Sequence, residues 1–183
     1  VGDFGLRDYI NVDAVFVPKT GGRNAKFRFY KSKNSIVERL INKLMVSGHK
    51  GKKHKLTSGH NSGKATFCTK VVEQTFEIIE RRLNKNPVEI FVKAVENAAP
   101  REEIISIEYG GARYPQAVEC SPSRRVDIVL RQMVQGAYAK SFGSKRDISE
   151  HLADEIIKAY NIDNSSNAIA KKRDLERQAA SSK

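Results

Sequence analysis

The sequence predicts a mainly α-helical fold: a bundle of about six helices, one extended β-hairpin between helices three and four, and a basic N-terminal arm. Three observations predict it. Apolar residues recur at helical spacing through most of residues 35–180. Residues 103–120 break that period and alternate on either side of Gly110-Gly111. The net charge is +12, and residues 1–64 hold 14 of the 33 Lys and Arg but only 4 of the 21 Asp and Glu.

Residues 1–34 have no sustained helical period and read as an extended arm. The apolar run Ala14 to Val17 stops at Pro18, and Lys26-Phe27-Arg28-Phe29-Tyr30-Lys31 alternates. Phe and Tyr are expected to pin the arm to a surface. Arg23, Lys26, Arg28, Lys31 and Lys33 are expected to face a polyanion.

The helical domain spans 35–183. Its first helix opens at Ser35 and Glu38, the spacing of a capping box. Val37, Leu40, Ile41 and Leu44 give it one apolar stripe, and Ser47-Gly48 stops it. Residues 48–64 form a Gly/Lys/His insertion with one large apolar residue, Leu56, too little for a core. The second helix runs from about Ala65 to Leu83 with Cys68, Val71, Val72, Phe76 and Ile79 on one face. The third opens at Asn86-Pro87, a cap followed by proline at the first helical position.

In the hairpin, Ile105, Ile107 and Tyr109 alternate with Ile104, Ser106 and Glu108. Pro115 lacks a donor, so its strand is an edge or bulged there. A lone two-stranded ribbon is marginal, so it is expected to lean on something outside its own domain. The fourth helix begins at Ser121-Pro122, with Val126, Val129, Leu130, Met133, Val134 and Ala137 buried and Arg124, Asp127 and Arg131 on another face. The fifth starts at Asp147 and is lined by Ile148, Leu152, Ile156 and Ala159. The last, about 168–180, has Ile169, Leu175 and alanines to bury and reads as a docked tail.

Several function classes are disfavoured. Gly59 to Lys64 has three residues between its glycines where a Walker loop needs four, and Ala65 follows the lysine. His49, His54, His60 and Cys68 match no metal spacing, so no metal and no cofactor is expected. No serine or cysteine has a nucleophile elbow, and His151 reads as a surface ion-pair member, so no enzyme is expected. No apolar run approaches a membrane span and no signal-like region is evident. Two isolated cysteines fit a reducing compartment.

A polyanionic partner remains. Residues 23–55 carry 11 Lys and Arg against one acid, Glu38. Arg124-Arg125 at a helix start would add charge to backbone N–H groups that favour phosphate. The ribbon carries Glu102, Glu103, Glu108 and Glu119 but only Arg101 and Arg113, too acidic to grip a duplex along its length. Contact through its tip, Gly110 to Tyr114, suits folded RNA better. A free RNA- or DNA-binding regulatory or architectural protein is the alternative.

IVERLINKLM, NPVEIFVKAVENAAPRE, YGGARYPQAVECSPSRR and AIAKKRDLER resemble the small-subunit ribosomal protein seven family, called protein five in eukaryotes. The resemblance runs from about Gly5 to Lys183. TGGRNAKFRF and the 48–64 insertion resemble its archaeal and eukaryotic cytosolic branch. The resemblance implies a non-catalytic, cytoplasmic ribosomal protein that binds the 3′ major (head) domain of small-subunit rRNA and supports head assembly. Its partners would be that rRNA, neighbouring head proteins, messenger RNA and exit-site transfer RNA. Arg23, Lys26, Arg28, Lys31, Lys33 and Lys43, then Lys50, Lys52, Lys53, Lys55 and Lys64, and Arg124 and Arg125, would hold rRNA. Gly110, Gly111, Ala112, Arg113 and Tyr114 would form the tip near the exit site.

Overall fold

The computed structural model describes residues 1–48 and 61–182. Within them the expected mainly helical bundle with one hairpin is present. Six long helices carry it: α2 (Ile36–Met45), α3 (Ala65–Leu83), α4 (Pro87–Ala98), α5 (Pro122–Ser141), α6 (Ile148–Tyr160) and α7 (Asn167–Ala180). A single turn, α1 (Tyr30–Lys33), precedes them.

The core forms where the apolar stripes meet. Helix α6 packs against α3, α4 and α5, and Leu152 and Ile156 are fully buried among Val72, Ile79, Phe91 and Met133. All six stripe residues expected on α5 are buried. Asn86 caps α4 as its sequence implied, its Oδ1 accepting from the Val88 amide at 2.9 Å. Helix α3 ends at Asn84 in the left-handed region (φ 50°), a frequent conformation for Asn after a helix.

Three local expectations fail. Ser35 makes no side-chain cap bond. Glu38 turns instead to the arm, where its Oε1 accepts from the Thr20 amide at 2.9 Å and the Thr20 hydroxyl at 2.7 Å. His151 is buried rather than a surface ion-pair member, with Nε2 3.1 Å from the Ser144 hydroxyl. The N-terminal arm is not extended throughout: Phe4–Tyr9 form a 3₁₀ helix that puts Leu6 and Ile10 into the core.

The C-terminal helix docks around a buried carboxylate. Glu155 is fully buried, and its Oε1 accepts from the Ser166 hydroxyl (2.8 Å) and the Ala168 amide (3.2 Å) at the start of α7. Lys140 reaches its Oε2 at 2.9 Å. Gly136 of α5 permits this approach, since a Cβ there would lie 2.7 Å from the Cβ of Asn167.

Strands β1 (Glu102–Tyr109) and β2 (Ala112–Glu119) pair antiparallel, with Tyr109 opposite Ala112. Gly110 and Gly111 both have positive φ (58° and 82°), as a two-residue hairpin turn of the favoured hand requires. Both faces are exposed beyond the base of the ribbon, and β1 rests at that base against α7.

Candidate nucleic-acid interface

The basic residues divide into those engaged inside the chain and those left facing solvent. Asp127, on the polar side of α5, organises the first set. It accepts from Lys31 of α1 at 2.9 Å and from Arg39 of α2 at 3.0 Å. Arg39 also donates from Nη1 to the Tyr9 carbonyl at 2.9 Å. Burial pushes the Asp127 carboxyl up, but the hydrogen bonds and charges of Lys31 and Arg39 outweigh it and hold the group below its ordinary value.

Beside this pair lies a groove of about 280 Å³ between α1, α2 and α5. Lys43 and Arg131 line it together with Lys31, Arg39 and the amides of Asn34 and Asn42. Four cations therefore surround one carboxylate. Lys43 carries the imbalance: burial lowers its pKa and the Arg131 charge lowers it further, with Asp127 opposing only in part. A cation depressed by a like neighbour gains from an anion placed between them. Arg131 and Asp127 were visible in the sequence as one helix face, but nothing local linked that face to Lys43.

The arm presents further charge. Arg23, Lys26, Arg28 and Lys33 are all exposed. Arg23 donates from Nε to the Thr20 carbonyl at 3.2 Å. Lys64 is exposed at the start of α3. Lys50, Lys52, Lys53 and Lys55 lie outside the described residues. The Asn61 amide donates to the Met45 carbonyl at 2.6 Å, so the described chain resumes beside the C-terminal end of α2.

Arg124 and Arg125 do not form the paired clamp their sequence suggested. Arg124 forks onto Glu103 of β1, with Nε and Nη2 at 2.5 and 2.7 Å from its two carboxylate oxygens, and its side chain remains 55% exposed. Arg125 points inward, its side chain 11% exposed. It donates from Nε to the Pro100 carbonyl (3.0 Å) and from Nη2 to Asp3 (2.7 Å). Its guanidinium ties the N-terminal segment to the α4–β1 connection. One i, i+1 step on a helix separates an outward residue from an inward one.

The tip residues Gly110 to Tyr114 are exposed, and Arg113 faces Glu108 at 3.5 Å across the ladder. Among the described residues no group of His, Cys, Asp or Glu could hold a metal ion. His49, His54 and His60 lie outside them. No helix among the described residues is long and apolar enough to cross a membrane.

The sequence profile of the family described as ribosomal protein S7p/S5e matches residues 6–183. The chain belongs to this family. It is similar to the small ribosomal subunit protein uS7 of Nanoarchaeum equitans, with 55% identity over 183 residues, all of this chain and 92% of that protein. The protein of the same name from Methanothermobacter thermautotrophicus is 49% identical over 99% of this chain and 91% of its own length. That of Archaeoglobus fulgidus is 45% identical over the whole chain and 89% of its own length. The S7p/S5e assignment gives the chain a structural ribosomal role and not an enzymatic one.

Proposed function

We propose that this S7p/S5e protein anchors the 3′ major (head) domain of small-subunit rRNA through the groove between α1, α2 and α5. It supports head assembly there, among neighbouring head proteins in the cytoplasmic ribosome. The observation that carries this reading is the unbalanced charge at Lys43 and Arg131 in a concave site. An RNA backbone turn supplies the missing negative charge at a spacing two cations can share. Arg23, Lys26, Arg28 and Lys33 extend the basic surface along the arm. Lys50, Lys52, Lys53, Lys55 and Lys64 add charge in the segment after α2. Lys31 keeps one role in each direction, since it holds α1 to Asp127 and still faces the groove.

Arg124 contributes the part of its guanidinium that Glu103 leaves free. Arg125 acts by positioning the start of α5 rather than by touching RNA. The hairpin tip, Gly110 to Tyr114, reaches the exit site and touches transfer and messenger RNA. Its narrow Gly-Gly turn and exposed ring of Tyr114 suit contact with a moving strand.

The test is binding to a transcript of the 3′ major domain across a salt series. Replacing Lys43 and Arg131 together by alanine is expected to weaken binding and to flatten the salt dependence by roughly 1.4–1.8 log units per log unit of salt. An unchanged slope, or equal affinity of the unaltered protein for a 5′-domain transcript, would sink the proposal.

A further inference from the structure

We propose that Phe29, with Phe27 two residues before it, is a stacking site for unpaired nucleobases of RNA. The inference rests on the rRNA-binding reading and adds base contact to what is otherwise contact with phosphate.

From the sequence, both rings look like anchors that pin the arm. The structure leaves them outside: Phe27 is 64% and Phe29 62% exposed. Phe29 also has φ 60° and ψ 21°, a left-handed conformation that bulky side chains rarely adopt. Glycine would suit this backbone at no steric cost. The chain thus holds an aromatic ring in a strained place and buries little of it, which serves neither the core nor the turn. Strain of this kind is characteristic of binding positions.

The surroundings choose the ligand. The Arg28 guanidinium carbon lies 4.8 Å from the Phe29 ring centroid, and Lys33 Nζ lies 6.0 Å from that of Phe27. Residues 23–33 hold five cations and no acid. An apolar protein partner would have to desolvate that charge without compensation. An RNA strand answers both features at once, with phosphates for the cations and a flat base for the ring. Any base has such a face, so the contact is sequence-tolerant.

The probes are a short oligouridine and an abasic oligonucleotide of equal length, titrated into the full chain. Phe29→Gly keeps the turn, because the Phe29 carbonyl still accepts from the Ser32 amide and hydroxyl. It is expected to leave the melting temperature unchanged or higher and to weaken oligouridine binding roughly five- to a hundredfold. The salt slope and the affinity for the abasic strand should not change. Phe27→Ala should show the same pattern to a smaller degree. A lowered melting temperature would show the ring to be packed and overturn the proposal. Equal loss on the abasic strand would overturn it too. If the unaltered chain binds oligouridine and Phe29→Gly binds it equally, stacking alone fails. If the unaltered chain binds no RNA, the functional reading fails with it.

Discussion

The two halves of the N-terminal region, residues 1–11 and 12–34, are continuous in sequence and opposite in structure. In the first half Leu6 and Ile10 are buried, Asp3 pairs with Arg125, and the Asn11 carbonyl accepts from the Ile36 amide at 2.9 Å. In the second, Val12, Val15, Phe16, Val17, Phe27 and Phe29 all face solvent. The presence of large apolar side chains does not separate them, because both halves carry several. Spacing and partners do. Leu6 enters the core from the 3₁₀ helix and Ile10 from the extended residue just after it, whose amide bonds back to the Leu6 carbonyl at 3.1 Å, whereas Ala14 to Val17 is a run that no single face can bury. The first half is anchored in the core by Leu6 and Ile10, and the second touches the bundle through polar contacts at Thr20 and Lys31 and leaves its large apolar side chains in solvent.

The sharpest way to break this contrast is through Leu6. Leu6→Ala removes a fully buried side chain and should cost about 3 kcal/mol in denaturant unfolding. A cost below about 1 kcal/mol would mean that the segment is a loosely held strap, no different from residues 12–34.

Arg125 gives the next largest effect. Its removal would leave the Asp3 carboxylate with only the Gly5 amide of its two donors and take the Arg125 donor from the Pro100 carbonyl, and Arg125→Met should cost about 2 kcal/mol. The acid partner gives this pH dependence. Burial pushes the Asp3 carboxyl up, but the hydrogen bond and charge of Arg125 and the Gly5 amide outweigh it, leaving the pKa below its ordinary 3.8. A depressed carboxylate stabilises the folded state above the unfolded value, and that contribution is lost as pH falls through the folded one. Asp3→Asn should therefore be less stable than the unaltered chain at neutral pH and converge with it on acidification. A gap that persists in acid would assign the effect to packing rather than charge.

These residues also mark what the sequence could and could not disclose. Most of the long helices were legible because their apolar residues recur at helical spacing for two turns or more, from Val37 to Leu44 in α2 and from Val126 to Ala137 in α5, whereas α7 offered little beyond Ile169, Leu175 and alanines. The hairpin was legible from Gly110-Gly111 between alternating runs. Partners that lie far along the chain were not. Ser35 and Glu38 have the spacing of a capping box, yet Glu38 binds Thr20, eighteen positions back. Arg125 reads as an RNA clamp beside Arg124, yet its neighbour in space is Asp3. Nothing in the sequence singled out Glu155, yet it anchors the start of α7. For the interface, the cations were all legible as charge. The groove was not, because it needs Lys43 of α2 and Arg131 of α5 on facing walls.

Thr20 tests the boundary between the halves. It is one of two points where the outward half touches the bundle through a side chain on it, Thr20 through Glu38 and Lys31 through Asp127. Thr20→Val removes one of two bonds to that carboxylate and should cost about 1 kcal/mol. Hydrogen exchange should quicken at the amides of Thr20 and of Arg23 to Phe27 and stay slow at Leu6 and Ile10. If exchange quickens at Leu6 as well, the two halves open together and the distinction between them is lost.

The smallest effect is expected at Phe16, and it is the most exacting check on the outward half. Its side chain is as exposed as one in an unfolded peptide, at 107%. Folding therefore removes none of its apolar surface from water, and area-based stabilisation from it is nil. Phe16→Ser should change unfolding free energy by less than about 0.5 kcal/mol in either direction, while lowering any tendency of the free protein to self-associate through the 14–17 run. A loss above about 1 kcal/mol would mean that Val15, Phe16 and Val17 find a place on the bundle in solution. The outward half would then be a second docked segment, and the surface available to a partner would shrink to the cations and the two phenylalanines of residues 23–33.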